Sequence, residues 1–246
     1  MRYLIVSDLH ANLEALDAVL AASAGRYDRG LCCGDLVGYG ADPNPVCDWV
    51  RTKCSIVVRG NHDRASTGMD DLEWFNPVAR KAALWTLETL SPENADYIRA
   101  LPRGPLTVDG FQVAHGSLHD EDEYVVSAGE AGDAFTYMET RLAFFGHTHV
   151  QGGFIWNQSR VETILRVPFL ASEQTLSIDS SCGYLINPGS TGQPRDGDPR
   201  AAYAIYDAEA KQVIYYRVAY DIKAAQQKIH AAGLPSVLAD RLSVGR

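Results

Sequence analysis

Residues 2–10 read RYLIVSDLH, an apolar run followed at once by two polar side chains, Asp8 and His10. The apolar part predicts a buried strand over residues 2–7. Residues 12–24 carry leucines and a valine at helical spacing, so a helix is predicted to follow the strand. The alternation continues with a predicted strand at 30–33, a helix at 43–53 and a strand at 55–59. This order of elements predicts an α/β protein.

The remainder of the chain divides into a helical stretch and a strand-rich half. Apolar residues at helical spacing run through 76–101, and we expect a helical insertion at about 68–101. Further strands are predicted at 105–108, 111–115, 142–146, 153–156, 161–167, 183–187, 201–206 and 212–219, and further helices at 129–140 and 222–232. No linker separates the two halves. We therefore expect a single domain over 1–246, with two packed sheets and helices outside them.

The composition limits the classes of function. The chain has 246 residues, of which 46% are hydrophobic and 22% are charged, and its formal net charge is −9. Such a chain can bury a core, which excludes a disordered or fibrous protein. The acidic balance argues against binding to extended nucleic acids or to anionic membrane surfaces, because both depend on clustered Lys and Arg.

The sequence carries no recognisable targeting or membrane-spanning segment. Residues 1–7 are too short for the apolar part of a signal peptide, and no apolar run approaches the length of a transmembrane helix. The cysteines are five in number and form no Cys-x-x-Cys pair. They are Cys32, Cys33, Cys47, Cys54 and Cys182. We expect reduced thiols and a cytoplasmic location.

Five predicted strands end in side chains that bind metals. These side chains are Asp8 and His10, Asp35, Asn61, His115, and His147 with His149, and His62 and Asp63 follow Asn61 directly. In open α/β sheets, ligands bind beyond the carboxyl ends of the strands, so we expect the groups at one rim. In an extended segment, residues two apart point the same way, so each Asp-x-His or His-x-His pair is expected to address one centre. Imidazole, carboxylate and amide ligands suit Mn, Fe, Zn or Ni.

The order of these blocks carries a resemblance to a known family. The chain shows Asp-x-His, Gly-Asp, Gly-Asn-His-Asp, a lone His and Gly-His-x-His between Asp8 and His149, followed by Asn-Pro-Gly-Ser at 187–190. This pattern resembles the calcineurin-like metallophosphoesterase superfamily, in particular its small bacterial and archaeal phosphodiesterase-like members. The resemblance implies a four-layer α/β/β/α sandwich of two mixed sheets, formed by one metallophosphoesterase domain.

The resemblance also implies a site with two divalent metal ions. One ion would be held by Asp8, His10, Asp35 and His149, and the other by Asp35, Asn61, His115 and His147. Asp35 would bridge the two ions. His62 would face the substrate, and Asp63 would orient His62.

The expected activity is hydrolysis of a phosphodiester or phosphomonoester of a small molecule. Two cations about 3.5–4 Å apart generate a hydroxide nucleophile and clamp the phosphoryl group. A protonated His62 would stabilise charge or protonate the leaving oxygen. Two further enzymes remain open, a dinucleoside polyphosphate hydrolase and a phosphoprotein phosphatase. A non-catalytic scaffold that retains the fold is the alternative from another class.

Two further residues are weaker candidates for substrate binding. Asn12 is expected mainly as the N-cap of the first helix, with substrate contact as the alternative. Arg195 lies in a loop rich in turn residues, where its guanidinium would bind phosphate or remain solvated. The acidic run at 120–123 is expected to form a solvated loop, and His119 and His230 are expected at the surface.

Overall fold

The computed structural model describes residues 1–246, apart from the side chain of Trp74. Its helices are α1 (Leu13–Ser23), α2 (Pro43–Lys53), α3 (Asn61–Ala65), α4 (Pro77–Thr89), α5 (Pro92–Arg99), α6 (Ala128–Phe135), α7 (Ile222–Ala231) and α8 (Ser236–Asp240). Two 3₁₀ helices span Leu72–Trp74 and Arg241–Ser243. The first six strands are β1 (Arg2–Val6), β2 (Arg29–Cys32), β3 (Cys54–Val57), β4 (Leu106–Val108), β5 (Phe111–Val113) and β6 (Leu142–Phe144). The others are β7 (Gly152–Trp156), β8 (Val161–Ile164), β9 (Glu173–Ser177), β10 (Gly183–Asn187), β11 (Ala201–Asp207) and β12 (Gln212–Val218).

The strands form two mixed sheets of six strands each. The first sheet has the order β3-β2-β1-β11-β12-β9, in which β1, β2 and β3 run parallel and the remaining pairs antiparallel. The second has the order β4-β5-β6-β10-β7-β8, in which β5, β6 and β10 run parallel. The prediction of two mixed sheets is confirmed.

Three apolar clusters define the layers between and outside the sheets. The inner cluster joins the facing surfaces of the two sheets through side chains such as Ile5, Leu31, Phe111 and Phe144. Helices α1, α2 and α5 cover the outer face of the first sheet. Helix α6 covers the outer face of the second sheet through its alanines. The order of layers is therefore α/β/β/α, as the sequence predicts.

The region at 68–101 contributes to two separate packing surfaces. Helix α5 places Ile98 in the cluster on the first sheet. Helix α4 instead turns Ala79 and Ala82 towards α7, α8 and the ring of Tyr39. Helix α4 therefore connects the C-terminal helices with a loop that, as described below, borders the candidate site.

Several predicted elements differ from the structure. Strand β9 was not predicted, because this edge strand alternates between exposed and half-exposed residues and carries one large aliphatic side chain, Leu176. Helices α3 and α8 were not predicted either, since each has five residues and too few turns to show a period. Helix α6 ends at Phe135, five residues before the predicted end at 140.

Two features bear on the expected environment of the chain. None of the helices in the described residues combines the length and the apolar character that crossing a membrane requires. All five cysteines are free thiols, and Cys32, Cys33 and Cys47 are buried.

The inner cluster gives a prediction about stability. Phe111 is 1% exposed, and its ring meets Tyr3 and Phe144 edge to face at 5.1 and 5.4 Å. We expect Phe111→Ala to lower the free energy of unfolding by about 3–5 kcal/mol, because it leaves a cavity between the sheets. Urea unfolding measures this loss. Phe169→Ala, at a ring that is 54% exposed, is the matched control and should cost about 1 kcal/mol or less. Equal losses in the two variants would contradict the placement of Phe111.

Candidate metal centre

The candidate site lies where the parallel strands of both sheets end. Strands β1, β2 and β3 of the first sheet and β5 and β6 of the second all lead into polar loops. The residues brought together there are Asp8, His10, Asp35, Asn61, His62, Asp63, His115, His147 and His149. The structure thus brings the predicted residues to a single rim.

The backbone of these loops differs from the expected extended form. Asp8, His10, Asp35, His147 and His149 all have φ between 46° and 64°, which is the left-handed region. The prediction that Asp8 and His10, or His147 and His149, converge because extended residues alternate was therefore wrong. The chain turns sharply after each strand, and this turn brings the side chains together. Such conformations of non-glycine residues cost of the order of 1 kcal/mol each and cluster at functional sites.

One glycine permits a very close approach of two loops. A Cβ atom at Gly60 would lie 2.1 Å from Asp35 Oδ1. Any other residue here would therefore push the Asp35 carboxylate out of place. The first position of the Gly-Asn-His-Asp block must therefore be a glycine, because only a residue without a side chain fits beside Asp35.

Two groups of side chains offer ligand atoms that lie within 4.8 Å of one another. The first group contains Asp8, His10, Asp35 and His149, and the second contains Asp35, His115 and His147. Asp35 Oδ2 belongs to both, at 3.6 Å from His10 Nε2 and 3.4 Å from His115 Nε2. All these residues are buried. Each group could hold a metal ion, and the shared carboxylate lies between the two.

The inward-facing ring nitrogens approach one another closely. His10 Nε2 lies 3.1 Å from His149 Nε2, and His115 Nε2 lies 3.1 Å from His147 Nδ1. His149 Nε2 is also 3.4 Å from Asp8 Oδ1. Each pair of nitrogens thus points at a common centre, which is the arrangement that a metal ion requires of its ligands.

The outward-facing nitrogen of every histidine in the two groups is held by a backbone carbonyl. His10 Nδ1 donates to Val37 O (3.1 Å), His115 Nδ1 to Cys33 O (2.8 Å), His149 Nδ1 to Gln193 O (2.6 Å) and His147 Nε2 to Asp122 O (3.1 Å). A hydrogen bond of this kind fixes the tautomer and leaves the opposite nitrogen with a free lone pair. The four lone pairs are therefore directed into the site.

The carboxylates provide a second sign that the site fits cations. Asp8 Oδ1 accepts from His147 N, and Asp35 Oδ1 accepts from His62 N. The other oxygen of each carboxylate, Oδ2, is buried and has no hydrogen-bond partner among the described residues. A buried carboxylate oxygen without a partner is costly. The donor set thus suits divalent cations, because Asp35 Oδ2 lies between the inward-facing nitrogens of His10 and His115, where a cation would satisfy it.

Burial dominates the proton affinities in the site. It raises the pKa of Asp8 to about 7 and lowers the pKa values of His10 and His149 well below the usual range. For His115, burial alone would lower the pKa, but the charges of Asp35 and Asp8 and the bond to the Cys33 carbonyl together raise it to about 10, so a bound cation would replace a proton on Nε2. Burial would raise the pKa of Asp35, but the charge on His115, the largest of several opposing contributions, holds it well below normal. The site therefore stabilises Asp35 as a carboxylate.

Asn61 borders the second group. Its side-chain Oδ1 lies 3.3 Å from His115 Nε2, which puts an amide oxygen beside the inward-facing nitrogens. Asn61 is half-buried and also lines the cleft described below. Its role as a ligand stays a prediction.

His62 lies beside the two groups and belongs to neither. It is 5% exposed, its ring packs 4.3 Å from Tyr39 and 5.6 Å from Phe75, and its Nδ1 has no partner among the described residues. Burial lowers its pKa to about 4. The expected protonated His62 is therefore not the resting state, because a neutral ring is favoured until a negative charge binds nearby.

Asp63 has a different task from the one expected. Its carboxylate accepts hydrogen bonds from the backbone amides of Gly60, Asp35, Leu36 and Val37. It makes no hydrogen bond to the His62 ring. Asp63 thus joins the loop after β2 to the loop after β3 and acts on His62 only through the backbone. Any effect of Asp63 on the orientation of His62 is therefore indirect.

The two weaker candidates for substrate binding, Asn12 and Arg195, have different surroundings in the structure. Asn12 caps α1, since its Oδ1 accepts from Ala15 N at 3.1 Å, and its Nδ2 donates to Gly192 O at 2.8 Å. Both ends of the Asn12 amide are therefore occupied by structural contacts. The Arg195 guanidinium lies beside the site, 5.7 Å from the Tyr39 ring centroid.

The acidic run at 120–123 is only partly a solvated loop. Glu121 is largely buried and pairs with Arg59 and Arg64. The carbonyl of Asp122 receives the His147 hydrogen bond. The expectation of a wholly solvated loop was wrong, because the arginines and a site histidine fix the run against the rim.

Three aromatic residues at the site were missed by the sequence analysis. Tyr39 packs on His10 and His62, Phe75 packs on His62, and the Tyr124 ring stacks on His147 at 3.9 Å. The Gly-Tyr-Gly stretch just after the Gly-Asp block is a signal that could have identified Tyr39. The other two residues lie in segments without any comparable pattern.

A cleft of about 400 Å³ opens beside the second group. Its lining includes the rings of Phe75 and Tyr124 and the carboxylates of Asp70, Asp71 and Asp122. One guanidinium, Arg64, also lines it and is paired with Asp70 and Asp122. This side of the site is therefore acidic and aromatic.

Comparisons with known proteins point to one family. The family model described as a calcineurin-like phosphoesterase superfamily domain matches residues 1–211. An uncharacterized protein of Methanocaldococcus jannaschii is 36% identical over 250 residues, which cover 98% of this chain and 97% of that protein. The crystal structure of a metallophosphoesterase from Sphaerobacter thermophilus is 40% identical, with a TM-score of 0.88 over 100% of this chain and 99% of that one.

A more distant structure shares the fold. A hypothetical protein from Pyrococcus horikoshii superposes with a TM-score of 0.77 at 18% identity, over 100% of this chain and 98% of that one. The family model and the two relatives above 30% identity cover far more than half of the chain. The chain therefore belongs to the calcineurin-like phosphoesterase superfamily.

Proposed function

We propose that this protein is a phosphoesterase that hydrolyses small phosphate esters with two divalent cations. The first cation would be bound by Asp8, His10, Asp35 and His149, and the second by Asp35, Asn61, His115 and His147. The observation that carries the proposal is the set of four imidazoles whose outer nitrogens are held by carbonyls, with Asp35 Oδ2 buried and unpartnered between them. Mn, Fe, Zn and Ni all accept this donor set.

When bound, such cations acidify water to hydroxide near neutral pH and neutralise charge on the phosphoryl group. The protein's own part is to orient and to move protons. The carbonyl bonds to the histidines keep the ligand geometry fixed before substrate arrives. The Asp63 carboxylate holds the loops after β2 and β3 in register, which fixes Asp35 relative to His62.

His62 is the residue that we assign to the substrate. Tyr39 and Phe75 hold its ring against the rim, and its Nδ1 is buried beside Gly38, so Nε2 is the nitrogen that would face the substrate. A bound phosphate group would raise the low pKa of His62, because a nearby negative charge favours the imidazolium. His62 would then stabilise the phosphoryl oxygens or protonate the leaving oxygen.

The substrate is proposed to be a small phosphodiester, with phosphomonoesters as the second class. The cleft beside the second group would accept the alcohol part of a small ester. The net charge of −9 disfavours extended nucleic acids. Reduced thiols favour action in the cytoplasm.

Activity tests the proposal directly. We expect the manganese-loaded protein to hydrolyse bis-p-nitrophenyl phosphate faster than p-nitrophenyl phosphate, and chelation followed by gel filtration to abolish both reactions. Restoring Mn²⁺ should restore turnover. A diadenosine polyphosphate and a phosphopeptide, assayed in parallel, separate the two alternative enzymes. Protein shown to contain metal, yet without metal-dependent turnover of any of these esters, would contradict the proposal.

The shared carboxylate gives a second prediction. Asp35→Ala should lose most of both bound ions, because Asp35 serves both groups, whereas His149→Ala should retain about one ion per chain. Elemental analysis after manganese loading measures the metal content, and circular dichroism checks the fold. Asp17→Ala, at an exposed carboxylate on α1, is the control and should keep the wild-type content. Loss of one ion in both site variants would argue against a bridge.

His62 gives a third prediction. His62→Ala should leave the metal content within error of wild type and lower kcat about 10²–10⁴-fold, because the variant lacks a group that moves or holds a proton. Steady-state kinetics measures the loss of kcat, and elemental analysis measures the metal content. His230→Ala changes an exposed histidine of α7 and should leave both values unchanged. Normal turnover by His62→Ala would remove this residue from the reaction.

A further inference from the structure

Two arginines meet on the side of the site opposite the acidic cleft. Arg195 lies in the loop after β10, and Arg241 lies in the last 3₁₀ helix. Both guanidinium groups reach the same neutral acceptor, Gln193 Oε1, at 3.1 Å from Arg195 and 3.4 Å from Arg241. The backbone carbonyl of Gln193 also holds His149, which places the pair directly behind the first group of candidate ligands.

These arginines lack the counter-charges that other arginines of the chain possess. Arg64, Arg200 and Arg217 each face at least one carboxylate. Among the described residues, no carboxylate pairs with Arg195 or Arg241, and the buried Nε atom of each has no hydrogen-bond partner. Asp196, the neighbour of Arg195 in sequence, instead pairs with Arg217.

The unpaired charges affect each other. Burial and the charge of Arg195 lower the pKa of Arg241. Two partly buried guanidinium groups around one amide oxygen repel each other, and an anion between them would relieve this repulsion. Guanidinium groups bind carboxylate and phosphate oxygens through paired N–H donors. The two Nε atoms are themselves buried, so the terminal nitrogens of Arg195 and Arg241 are the donors that an anion would meet.

The position of the pair connects it to the reaction site. The Arg195 guanidinium lies 5.7 Å from the Tyr39 ring centroid, and Tyr39 packs 4.7 Å from the His10 ring and 4.3 Å from the His62 ring. The Tyr39 hydroxyl is also 3.4 Å from an Arg195 donor nitrogen. An anionic group bound here would thus adjoin a phosphoryl group that contacts His62.

We propose that Arg195 and Arg241 bind a second anionic group of the substrate, so that the preferred substrates are phosphate esters carrying a further phosphate or carboxylate. This inference rests on the proposed phosphoesterase function and deepens it. The family model matches residues 1–211, so Arg241 comes from a segment outside the matched region. The C-terminal helices would in this way determine substrate specificity at a site built by the rest of the chain.

Phosphonates that the enzyme cannot hydrolyse test the proposal without turnover. Binding to the manganese-loaded protein is measured by titration calorimetry for butylphosphonate, 4-phosphonobutyrate and propane-1,3-diyl bisphosphonate. Phosphonocarboxylates and bisphosphonates with two and four linking carbons test other distances between the two anionic groups. We expect at least one doubly anionic compound to bind wild type about 10–100-fold more tightly than butylphosphonate, as charge-assisted hydrogen bonds to two arginines require. The carboxylate and bisphosphonate series separate the two kinds of second anion.

Variants connect that preference to the arginines. In Arg241→Gln and Arg195→Gln the preference, measured in each variant as the ratio of its affinities for the doubly anionic compound and for butylphosphonate, should fall to about threefold or less. Arg160→Gln changes an arginine whose side chain is 73% exposed and should keep the full preference. The melting temperature of Arg241→Gln should not fall, because the substitution removes a repulsion; a merely structural arginine would lower it.

The outcomes distinguish this inference from the function on which it rests. Equal binding of singly and doubly anionic phosphonates by wild type would contradict the second anion site alone. A preference that survives both arginine substitutions would also contradict it. Failure of every phosphonate to bind the metal-loaded protein would contradict the phosphoesterase proposal, and the second anion site with it.

Discussion

The hydrogen bond from each of the four candidate ligand histidines to a backbone carbonyl is the interaction on which the candidate centre depends. The four carbonyls lie in three loops: those of Cys33 and Val37 in the loop after β2, that of Asp122 after β5 and that of Gln193 after β10. These loops come together only because β1–β3 of one sheet and β5, β6 and β10 of the other end at the same rim. The apolar cluster between the sheets fixes the relative position of the two sheets, and it thereby fixes the orientation of the histidine rings at the rim. Any movement of one sheet against the other would turn a lone pair away from the centre.

The two sides of that centre carry opposite charges, with carboxylates on one side and arginines on the other. Asp8 and Asp35 each keep one buried oxygen unpartnered within the centre, so the acidic composition of the chain serves in part to attract cations. The cleft on one side carries aromatic rings and carboxylates, whereas the other side carries the unpaired Arg195 and Arg241. A net charge of −9 thus disfavours polyanions over the whole surface without preventing selective binding of a small anion at one position.

The sequence predicted the layers of the fold and the residues of the rim, because apolar runs and the polar blocks behind them are local patterns. It did not predict how the loops turn, since Asp8, His10 and Asp35 adopt left-handed conformations that non-glycine residues rarely signal. It missed β9, an edge strand held by pairing with β12 more than by its own side chains. The amide contacts of Asp63, and the meeting of Arg195 with Arg241, join segments distant in sequence and have no local pattern at all.

A crystal structure of the protein soaked in Mn²⁺, with anomalous diffraction data, tests the central claim most directly. The account predicts two anomalous peaks about 3.5–4 Å apart, one on each side of the Asp35 carboxylate, with His10 and His149 on one peak and His115 and His147 on the other. A single peak, or peaks that leave Asp35 Oδ2 without a ligand contact, would contradict it.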